Sequence, residues 1–374
     1  MKYFILSGEA SGDLHGSNLV IALKKEDPNA AFKSWGGDLI EKAGATVLKH
    51  YRDLAFMGFL EVVKNLPTIL QNFKTCKKDI LSFQPDVLIL IDYPGFNLRM
   101  AKWAHKNNIR VFYYISPQLW AWNTGRAELI KRYVERMYVI LPFEKDFYHK
   151  FNIDVDYAGH PLVDVINNYK PTINFYEKNN LNKNKPIVAM LPGSRKQEIK
   201  RMLGIMLSAI KHFPEHQFII AGAPSIERSF YQEFLNKNQS IYFIENQTYD
   251  LLSHADAALV TSGTATLETA LFNTPQVVCY SGNWFSYQLA KRLVNKDLKF
   301  ISLANLIADQ QVVKELIQEN LTEIKLVEEL NYCLSENGRS NILKGYKIIK
   351  QKLNLGGASE SIAKLMVDRL RTLL

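Results

Sequence analysis

The sequence predicts an α/β protein with two doubly wound, parallel-sheet domains that face each other across a cleft. Short apolar runs recur along the chain, and each is followed by a turn and a helical pattern. Such continuous runs are typical of parallel strands that are buried on both faces. A polar segment rich in Asn and Lys separates two series of these runs. The sequence therefore predicts one sheet before this segment and one after it.

The predicted domain boundaries follow from the same pattern. We expect an N-terminal domain at 1–166, a linker at 167–186 and a C-terminal domain at 187–350. The helical tail at 351–374 is expected to pack back on the N-terminal domain or on a partner subunit.

The composition is that of a globular protein, and its charge favours an anionic partner. The chain has 374 residues, 47% of them hydrophobic and 22% charged, which excludes a disordered protein. Its formal net charge of +9 favours a phosphate, nucleic-acid or acidic membrane partner. Three scattered cysteines indicate a reducing compartment and no zinc site. Because the chain shows neither a signal peptide nor an apolar run of spanning length, we expect a cytosolic protein.

The first predicted strand, 2–7, leads into the loop GEASGD and then into a helix. This loop lacks the spacing of a dinucleotide-binding turn, and the second strand ends in two glycines where that site needs an acid. We therefore interpret the loop, with Glu9, Ser11 and Asp13, as a turn that faces a ligand. A helix cap formed by Ser11 or Asp13 is an alternative that is compatible with this interpretation.

Residues 56–73 are apolar at helical spacing and are flanked by lysines. Pro67 is expected either to split the stretch or to lie in the first turn of a second helix. A core-facing helix and an interfacial membrane helix both fit, and periodicity alone favours the first. The apolar positions are Phe59, Val62, Val63, Leu66, Ile69, Leu70 and Phe73.

Asp92 follows a buried strand at 86–91 and precedes Pro94 and Gly95. Ligands of open α/β sheets bind beyond the carboxyl ends of the strands, so a carboxylate there is a candidate general base. A helix cap or a turn aspartate is the alternative, and it is the more frequent role of such a residue in general.

Two other acids of the first half spell D-x-D at Asp154 and Asp156. We do not interpret them as a metal site, because they alternate with apolar residues as in a short, half-exposed strand. We expect no metal in this protein. His160, which follows closely, is interpreted as a structural histidine.

The second series begins with a strand at 187–191, and Gly193, Ser194 and Arg195 come directly after it. A helical pattern follows. Free backbone N–H groups at a helix start, the helix dipole and a forked guanidinium together predict an anion site. An ordinary βα turn with a solvated arginine is the alternative.

A second loop of this kind follows the strand predicted at 257–260. Its small residues, among them Gly263 and Thr264, leave backbone N–H groups open to a diphosphate. Glu268 lies a turn into the next helix, where it is placed to accept hydrogen bonds from both ribose hydroxyls. A capping box is the alternative. Asn305 is expected at the same site, ahead of a helix predicted over 310–319.

Nine motifs in register carry a family resemblance over nearly the whole chain. They resemble the bacterial lipid-A-disaccharide synthases, which are family 19 glycosyltransferases of GT-B type with two Rossmann-like domains. The motifs are GEASGD (8–13), MGFLEV (57–62), IDYPGFN (91–97), SPQLWAW (116–122), LPFE (141–144), GHP (159–161), LPGSR (191–195), SGTATLE (262–268) and SLANL (302–306).

The resemblance implies a reaction and assigns roles to residues. UDP-2,3-diacylglucosamine would donate its sugar to the 6-hydroxyl of 2,3-diacylglucosamine 1-phosphate, giving the β-1,6 disaccharide phosphate and UDP. The anomeric centre inverts, which suits one direct displacement with one base and no covalent intermediate. We expect no cofactor. Asp92 matches the proposed base, Arg195 would stabilise the diphosphate, and Glu268 would bind the ribose. The remaining implied positions are the amides of Gly193, Ser194, Gly263 and Thr264, the nucleotide-site Asn305, and Glu9, Ser11 and Asp13 on the acceptor side.

The resemblance also shifts the interpretation of 56–73 toward a membrane-facing element, since both substrates carry acyl chains. We expect a cytoplasmic protein held peripherally on the anionic inner face of the inner membrane, without nucleic acid, and a possible homodimer. Two departures from the family pattern are Pro67, which interrupts the stretch, and Gly95, where some relatives carry a second acid. The alternatives are a UDP-N-acetylglucosamine 2-epimerase-like isomerase and a non-catalytic carrier of the acylated UDP-sugar.

Overall fold

The computed structural model describes residues 1–54, 66–120, 124–236, 241–282, 299–353 and 356–372. These form two units, the first comprising Met1–Asp164 with Gly356–Leu374 and the second Val165–Leu355. The α/β class and the two parallel sheets that we predicted are confirmed.

Unit 1 is built on seven parallel strands in the order β3-β2-β1-β4-β5-β6-β7. The order reverses between β1 and β4, which is the switch point of a doubly wound sheet. The strands are β1 Lys2–Ser7, β2 Ala31–Gly36, β3 Thr46–His50, β4 Val87–Ile91, β5 Val111–Tyr114, β6 Arg136–Val139 and β7 Val155–Tyr157.

Unit 2 repeats this plan with six parallel strands in the order β10-β9-β8-β11-β12-β13, so its switch point lies between β8 and β11. Its apolar strands have the continuous burial expected of parallel sheets, and all five residues of β8 are buried. The strands are β8 Ile187–Leu191, β9 Gln217–Gly222, β10 Ile241–Glu245, β11 Ala257–Thr261, β12 Gln276–Tyr280 and β13 Lys314–Ile317.

Sixteen helices accompany the two sheets among the described residues. In unit 1 and across its boundary they are α1 Ala10–Glu26, α2 Asp38–Lys42, α3 Leu66–Phe83, α4 Pro94–Lys106, α5 Ala127–Tyr133, α6 Glu144–His149, α7 Pro161–Asn167 and α16 Ala358–Arg371. In unit 2 they are α8 Phe175–Lys178, α9 Lys196–Ser208, α10 Arg228–Leu235, α11 Thr248–His254, α12 Thr264–Leu271, α13 Leu303–Ala308, α14 Glu323–Leu334 and α15 Glu336–Leu353.

The C-terminal helix α16 belongs to unit 1. Its apolar side, with Ile362, Met366 and Leu370, joins the core that Leu19 of α1 and the strands form. The carboxylate of Asp164 accepts hydrogen bonds from the backbone N–H groups of Gly357, at 2.6 Å, and Ser359, at 3.1 Å. This pairing satisfies donors that a helix start leaves open.

Residues 167–186, which we predicted as a linker, lie within unit 2. Phe175 is fully buried in its core and Leu181 is 8% exposed. The Gln217 side-chain N–H groups donate to the carbonyls of Asn182, at 2.6 Å, and Lys185, at 2.8 Å. The Asn- and Lys-rich composition therefore reflects the outer surface of a packed segment.

The predicted helix over 310–319 is wrong. The chain forms β13, which pairs in parallel with β12 at the edge of the sheet, Val277 opposite Lys314. Only Leu316 of this strand is buried. An edge strand with one buried residue lacks the continuous apolar run by which the other strands were recognised.

Candidate active site

The loops after β1 and β4 are neighbours at the switch point of unit 1. The last residues of these strands, Ser7 and Ile91, are paired in the parallel sheet. The loop that carries Glu9 and the loop that carries Asp92 therefore leave the same edge side by side. Gly8 is needed for this approach, because a Cβ there would overlap the ring of Tyr93.

The backbone of Asp92 has a conformation that residues other than glycine rarely adopt. Asp92 and Tyr93 have φ values of 44° and 47°, in the left-handed region. The Asp92 carbonyl accepts hydrogen bonds from the Asn97 side-chain N–H, at 2.7 Å, and from the Tyr113 hydroxyl, at 2.6 Å. Such strain costs about 1–3 kcal/mol per residue and persists where the surroundings hold it, often at functional sites. We call the two hydrogen bonds to the Asp92 carbonyl the clamp. The clamp sets the direction in which the Asp92 carboxylate leaves the sheet.

The alternative role that we considered for Asp92, a helix cap, is not the one it has here. Helix α4 begins at Pro94 and its N-cap position is Tyr93. Asp92 instead directly follows β4, and its N–H donates to the carbonyl of Tyr114 at 3.2 Å.

The surroundings of Asp92 adjust its acidity. Burial, and to a smaller extent the negative charge of Glu9, raise the pKa of the carboxyl from 3.8 to about 6, although a hydrogen bond from the Tyr93 backbone acts in the opposite direction. A carboxylate with a pKa of about 6 is mostly ionised at neutral pH and still basic enough to take a proton.

Asp13 has a different role from the one we predicted. It is 3% exposed, and its carboxylate accepts hydrogen bonds from the N–H groups of Gly37, at 2.7 Å, Leu39, at 3.0 Å, and Ile40, at 3.1 Å. Its carboxylate therefore stabilises the start of α2. It does not cap its own helix, because α1 begins at Ala10 and Asp13 lies in its first turn. Ser11 is exposed, beside the partly buried Glu9.

Glu144 is a buried carboxylate that our sequence reasoning did not single out. It is 1% exposed, and one oxygen accepts hydrogen bonds from the N–H groups of Ile140, at 3.2 Å, and Leu141, at 2.9 Å. Burial raises its pKa to about 7, while the Ser116 side chain acts in the opposite direction. Glu144 thus joins the loops after β5 and β6. The signal was an acid shortly after a buried strand, five residues past β6, whereas Asp92 directly follows β4.

The two loops of unit 2 that we predicted to bind an anion also lie at one switch point, since β8 and β11 pair with Leu191 opposite Val260. Helix α9 begins after Arg195, and Gly193, with a φ of 111°, makes the turn before it. The Ser194 N–H donates to a carboxylate oxygen of Glu198 at 3.1 Å. A Cβ at residue 193 would overlap Glu198. A negatively charged oxygen thus already lies against the backbone N–H at the predicted anion site.

The second loop leaves its small residues open. Gly263 and Thr264 are exposed, and Gly263 is the N-cap residue of α12. The third helical position is therefore Thr266, so Glu268 does not form the capping box that we considered. The Glu268 carboxylate accepts a hydrogen bond from the Tyr249 hydroxyl at 2.9 Å, and burial raises its pKa.

Asn305 supports the site without offering a polar group to a ligand. It is fully buried. Its amide N–H groups donate to the Val313 carbonyl, at 2.9 Å, and to Glu315, at 2.8 Å, and its carbonyl oxygen accepts from the N–H groups of Val312 and Val313. These bonds use the full capacity of the side chain. The structure therefore corrects the direct contact that we predicted for Asn305 to a role in shaping the turn before β13.

The predicted membrane-facing stretch is described only in part. Phe59, Val62 and Val63 lie outside the described residues, as does the side chain of Leu66. Helix α3 begins at Leu66 with Pro67 in its first turn. Ile69 is partly buried and Leu70 is 54% exposed. Among the described residues, no helix is both long enough and apolar enough to span a bilayer.

The described part of α3 has two different faces. Cys76 and Ile80 are fully buried, which gives the helix a core-facing side. Leu70 and Leu81, both about half exposed, share the outer surface with Lys74 and Lys78. The helix therefore combines the core contact that we considered as an alternative with an apolar and basic exposed surface.

Comparison with known proteins by sequence gives one family. The family model for lipid-A-disaccharide synthetase matches residues 3–365. The lipid-A-disaccharide synthases of Syntrophus aciditrophicus, Geobacter sulfurreducens and Coxiella burnetii are 39%, 35% and 37% identical over 98%, 99% and 97% of this chain. The matches cover 97%, 97% and 96% of those proteins.

Comparison by structure confirms the GT-B type of fold. The UDP-N-acetylglucosamine 2-epimerase of Neisseria meningitidis, bound to its UDP-sugar, has a TM-score of 0.68 at 15% identity, covering 98% of this chain and 100% of its own. The glycotransferase of kitacinnamycin has a TM-score of 0.65 at 10% identity over 99% of each chain. An isomerase and a transferase share this fold, so the fold alone does not separate the two activities. The sequence relatives do, and the chain belongs to the lipid-A-disaccharide synthase family of glycosyltransferases.

Proposed function

We propose that the protein transfers the sugar of UDP-2,3-diacylglucosamine to the 6-hydroxyl of 2,3-diacylglucosamine 1-phosphate. The products are the β-1,6 disaccharide 1-phosphate and UDP. The observation that carries this proposal is the Asp92 carboxyl, which the clamp on its backbone orients at the switch point of unit 1 and whose pKa is about 6. A binding protein has no need of such a base.

In the proposed reaction Asp92 takes the proton of the acceptor hydroxyl as its oxygen attacks the anomeric carbon. The new C–O bond forms on the face opposite UDP while the bond to the diphosphate breaks, so the configuration inverts. A positioned general base contributes about a hundred- to ten-thousandfold in rate. Burial and, to a smaller extent, the charge of Glu9 hold the pKa of Asp92 above its ordinary value.

Unit 2 is proposed to hold the donor. The backbone N–H groups of Gly193, Ser194, Gly263 and Thr264 would bind the diphosphate, and Arg195 would add a charge-assisted contact. Such fixed donors stabilise the charge that develops on the leaving group. Glu198 supports this assignment, because its carboxylate lies where an anion would bind. Its displacement by the diphosphate would free the Ser194 N–H.

The function is tested by UDP release from the acylated donor with and without the acylated acceptor, in the presence and absence of a chelator. We expect UDP only when both substrates are present, in equal amount to the disaccharide. Release without acceptor would indicate a hydrolase, and conversion of UDP-N-acetylglucosamine to its manno epimer would indicate an isomerase. Binding of the donor without release would indicate a carrier. Each of these three results contradicts the proposal.

We also propose that the protein binds the anionic membrane surface through the exposed side of α3. The substrates carry acyl chains, and this side places Lys74 and Lys78 beside the half-exposed Leu70 and Leu81. Each lysine near an anionic surface contributes about 1 kcal/mol.

Replacement of both Lys74 and Lys78 by Gln should therefore weaken binding to vesicles that contain phosphatidylglycerol by roughly thirtyfold. Vesicle flotation measures the effect. The matched control is Lys344→Gln with Lys347→Gln, two exposed lysines of α15 in unit 2. Equal losses in both double variants would contradict a specific surface on α3. Vesicles of phosphatidylcholine alone should not distinguish either variant from the native protein.

Activity should depend on pH through Asp92. The base must be ionised, so kcat/KM is expected to fall as the pH drops through about 6. Because the charge of Glu9 raises the pKa of Asp92, Glu9→Gln should lower that pKa and move the acid limb of the profile to lower pH. The control is Glu41→Gln, an exposed glutamate of α2, which should leave the limb unchanged. If the acid limb did not move in Glu9→Gln, the charge of Glu9 would not affect the pKa of the base.

A further inference from the structure

The carboxylate proposed to bind the ribose is already held by a tyrosine. We infer that Tyr249 is a positioning residue for nucleotide binding, whose hydroxyl fixes the Glu268 carboxylate in the orientation that receives the ribose hydroxyls. This inference rests on the proposed function, in which Glu268 accepts hydrogen bonds from the ribose.

The hydrogen bond connects two helices of unit 2. Tyr249 lies on α11, and its hydroxyl donates to one oxygen of Glu268 on α12 at 2.9 Å. A carboxylate has about four acceptor positions, and this bond uses one of them. The second oxygen and one lone pair of the first remain for a ligand. The bond therefore limits rotation of the carboxylate without filling its acceptor capacity.

The tyrosine itself is held on two sides. Its ring makes an edge contact with Tyr169, at 5.5 Å between centroids and 84° between planes, and a tilted contact with Phe272 at 5.2 Å. Tyr169 and Phe272 also meet edge to face, at 5.7 Å. Edge-to-face packing of this kind fixes ring orientation as well as burying area. Tyr249 is thus one member of a triangle of three aromatic rings.

The neighbouring residue anchors the helix that carries Tyr249. Asp250 is 6% exposed and accepts hydrogen bonds from the backbone N–H of Thr172, at 2.6 Å, and from its hydroxyl, at 2.8 Å. The segment from Tyr169 to Thr172 therefore supports α11 through both a ring and a carboxylate. These residues belong to the stretch that we predicted as a linker, and through Tyr249 they support the proposed nucleotide site.

The charge state of Glu268 agrees with this geometry. Burial raises the pKa of Glu268, and the hydrogen bond from Tyr249 acts against it by stabilising the ionised form. Only the ionised carboxylate accepts hydrogen bonds from both ribose hydroxyls without presenting a proton of its own. The pKa of Tyr249 is raised by burial, so the phenol remains a neutral donor. Loss of this donor should leave Glu268 less firmly placed and less fully ionised.

The opposite role is also testable. A tyrosine hydroxyl that competed with the ribose for Glu268 would have to leave when UDP binds. Removing it would then strengthen UDP binding. The two roles predict opposite signs for one substitution, and a ligand without ribose hydroxyls separates both from an effect on folding.

The experiment measures the affinity of native protein and of Tyr249→Phe for UDP and for 2′,3′-dideoxy-UDP. Native protein should prefer UDP. In Tyr249→Phe, UDP binding should weaken by roughly ten- to a hundredfold, as for loss of a hydrogen bond to a charged group, while binding of the dideoxy ligand should not change. A purely structural role would weaken both ligands alike. The loss of UDP affinity as pH falls should also begin at higher pH in the variant.

The control is Tyr231→Phe, which removes another tyrosine hydroxyl of unit 2, one that accepts a hydrogen bond from the Ala223 N–H at 3.0 Å. This variant should keep the native preference for UDP over the dideoxy ligand. Preference that survives in Tyr249→Phe, or tighter UDP binding there, would overturn the inference alone. Failure of the native protein to bind UDP would overturn the proposed function instead.

Discussion

Asp92→Asn is expected to slow sugar transfer severely and to leave UDP binding unchanged. The amide has the shape of the carboxylate but cannot take the proton of the acceptor hydroxyl, so the rate should fall by about a hundred- to ten-thousandfold. Asn also tolerates the left-handed backbone that residue 92 adopts, at a φ of 44°. The clamp from Asn97 and Tyr113 acts on the backbone carbonyl and should therefore survive the substitution.

The measurement pairs kcat, from UDP release, with the Kd for UDP from calorimetry. The matched control is Asp86→Asn, at the opposite end of the same strand, where the carboxylate accepts a hydrogen bond from the Lys2 N–H. That variant should turn over at the native rate. If Asp92→Asn kept a rate near that of the native protein, Asp92 would not be the base. A parallel loss of UDP affinity would point instead to a disturbance of the fold.

The position of Asp92 could be predicted because it depends on local pattern. A continuous apolar run identified β4, and the residues that come directly after parallel strands lie at a common edge of the sheet. The same reasoning predicted β8 and β12 with the bounds that the structure has. The clamp on Asp92 could not be predicted, because Tyr113 lies on the next strand and the sequence around it does not show that its hydroxyl donates to the Asp92 carbonyl.

The functions of buried polar residues were the hardest to predict. Asp13 stands in a glycine-rich loop, and its partners lie 24 to 27 residues further along the chain. Asn305 stands in a motif of the half that we propose to bind the nucleotide, yet its side chain binds backbone groups and Glu315. In both cases the pattern shows that a polar side chain is required. Whether its partner is a ligand or the main chain depends on tertiary contacts.

Both units use one arrangement for different chemistry. In each, the first and fourth strands of the unit are neighbours, and the loops that follow them meet at the switch point. In unit 1 these loops bring Glu9 near Asp92 and raise its pKa. In unit 2 the corresponding loops carry the exposed residues Ser194, Arg195, Gly263 and Thr264. A carboxylate can accept a proton, whereas hydrogen-bond donors and a positive charge bind a diphosphate. The same arrangement of strands therefore supports the two proposed functions through different residues in its loops.

Arg195→Ala should weaken UDP binding by roughly ten- to a hundredfold, as expected when a charge-assisted hydrogen bond worth about 1.5–3 kcal/mol is lost. Arg195 is exposed at the start of α9, next to the turn formed by Gly193 and Ser194. It lies beside the N–H that a Glu198 oxygen now occupies. A diphosphate that replaces this oxygen would lie within reach of the guanidinium.

Uridine is the ligand that makes the test specific, because it has the base and ribose of UDP but no phosphate. Calorimetry should show that Arg195→Ala binds uridine as the native protein does while UDP affinity falls. The control is Arg201→Ala, an exposed arginine later on the same helix, which removes the same charge and should leave both ligands unaffected. Equal losses for UDP and uridine would assign Arg195 to folding, and unchanged UDP affinity would place the diphosphate elsewhere. An intermediate affinity in Arg195→Lys would separate the charge of the side chain from its forked donor geometry, since lysine keeps only the charge.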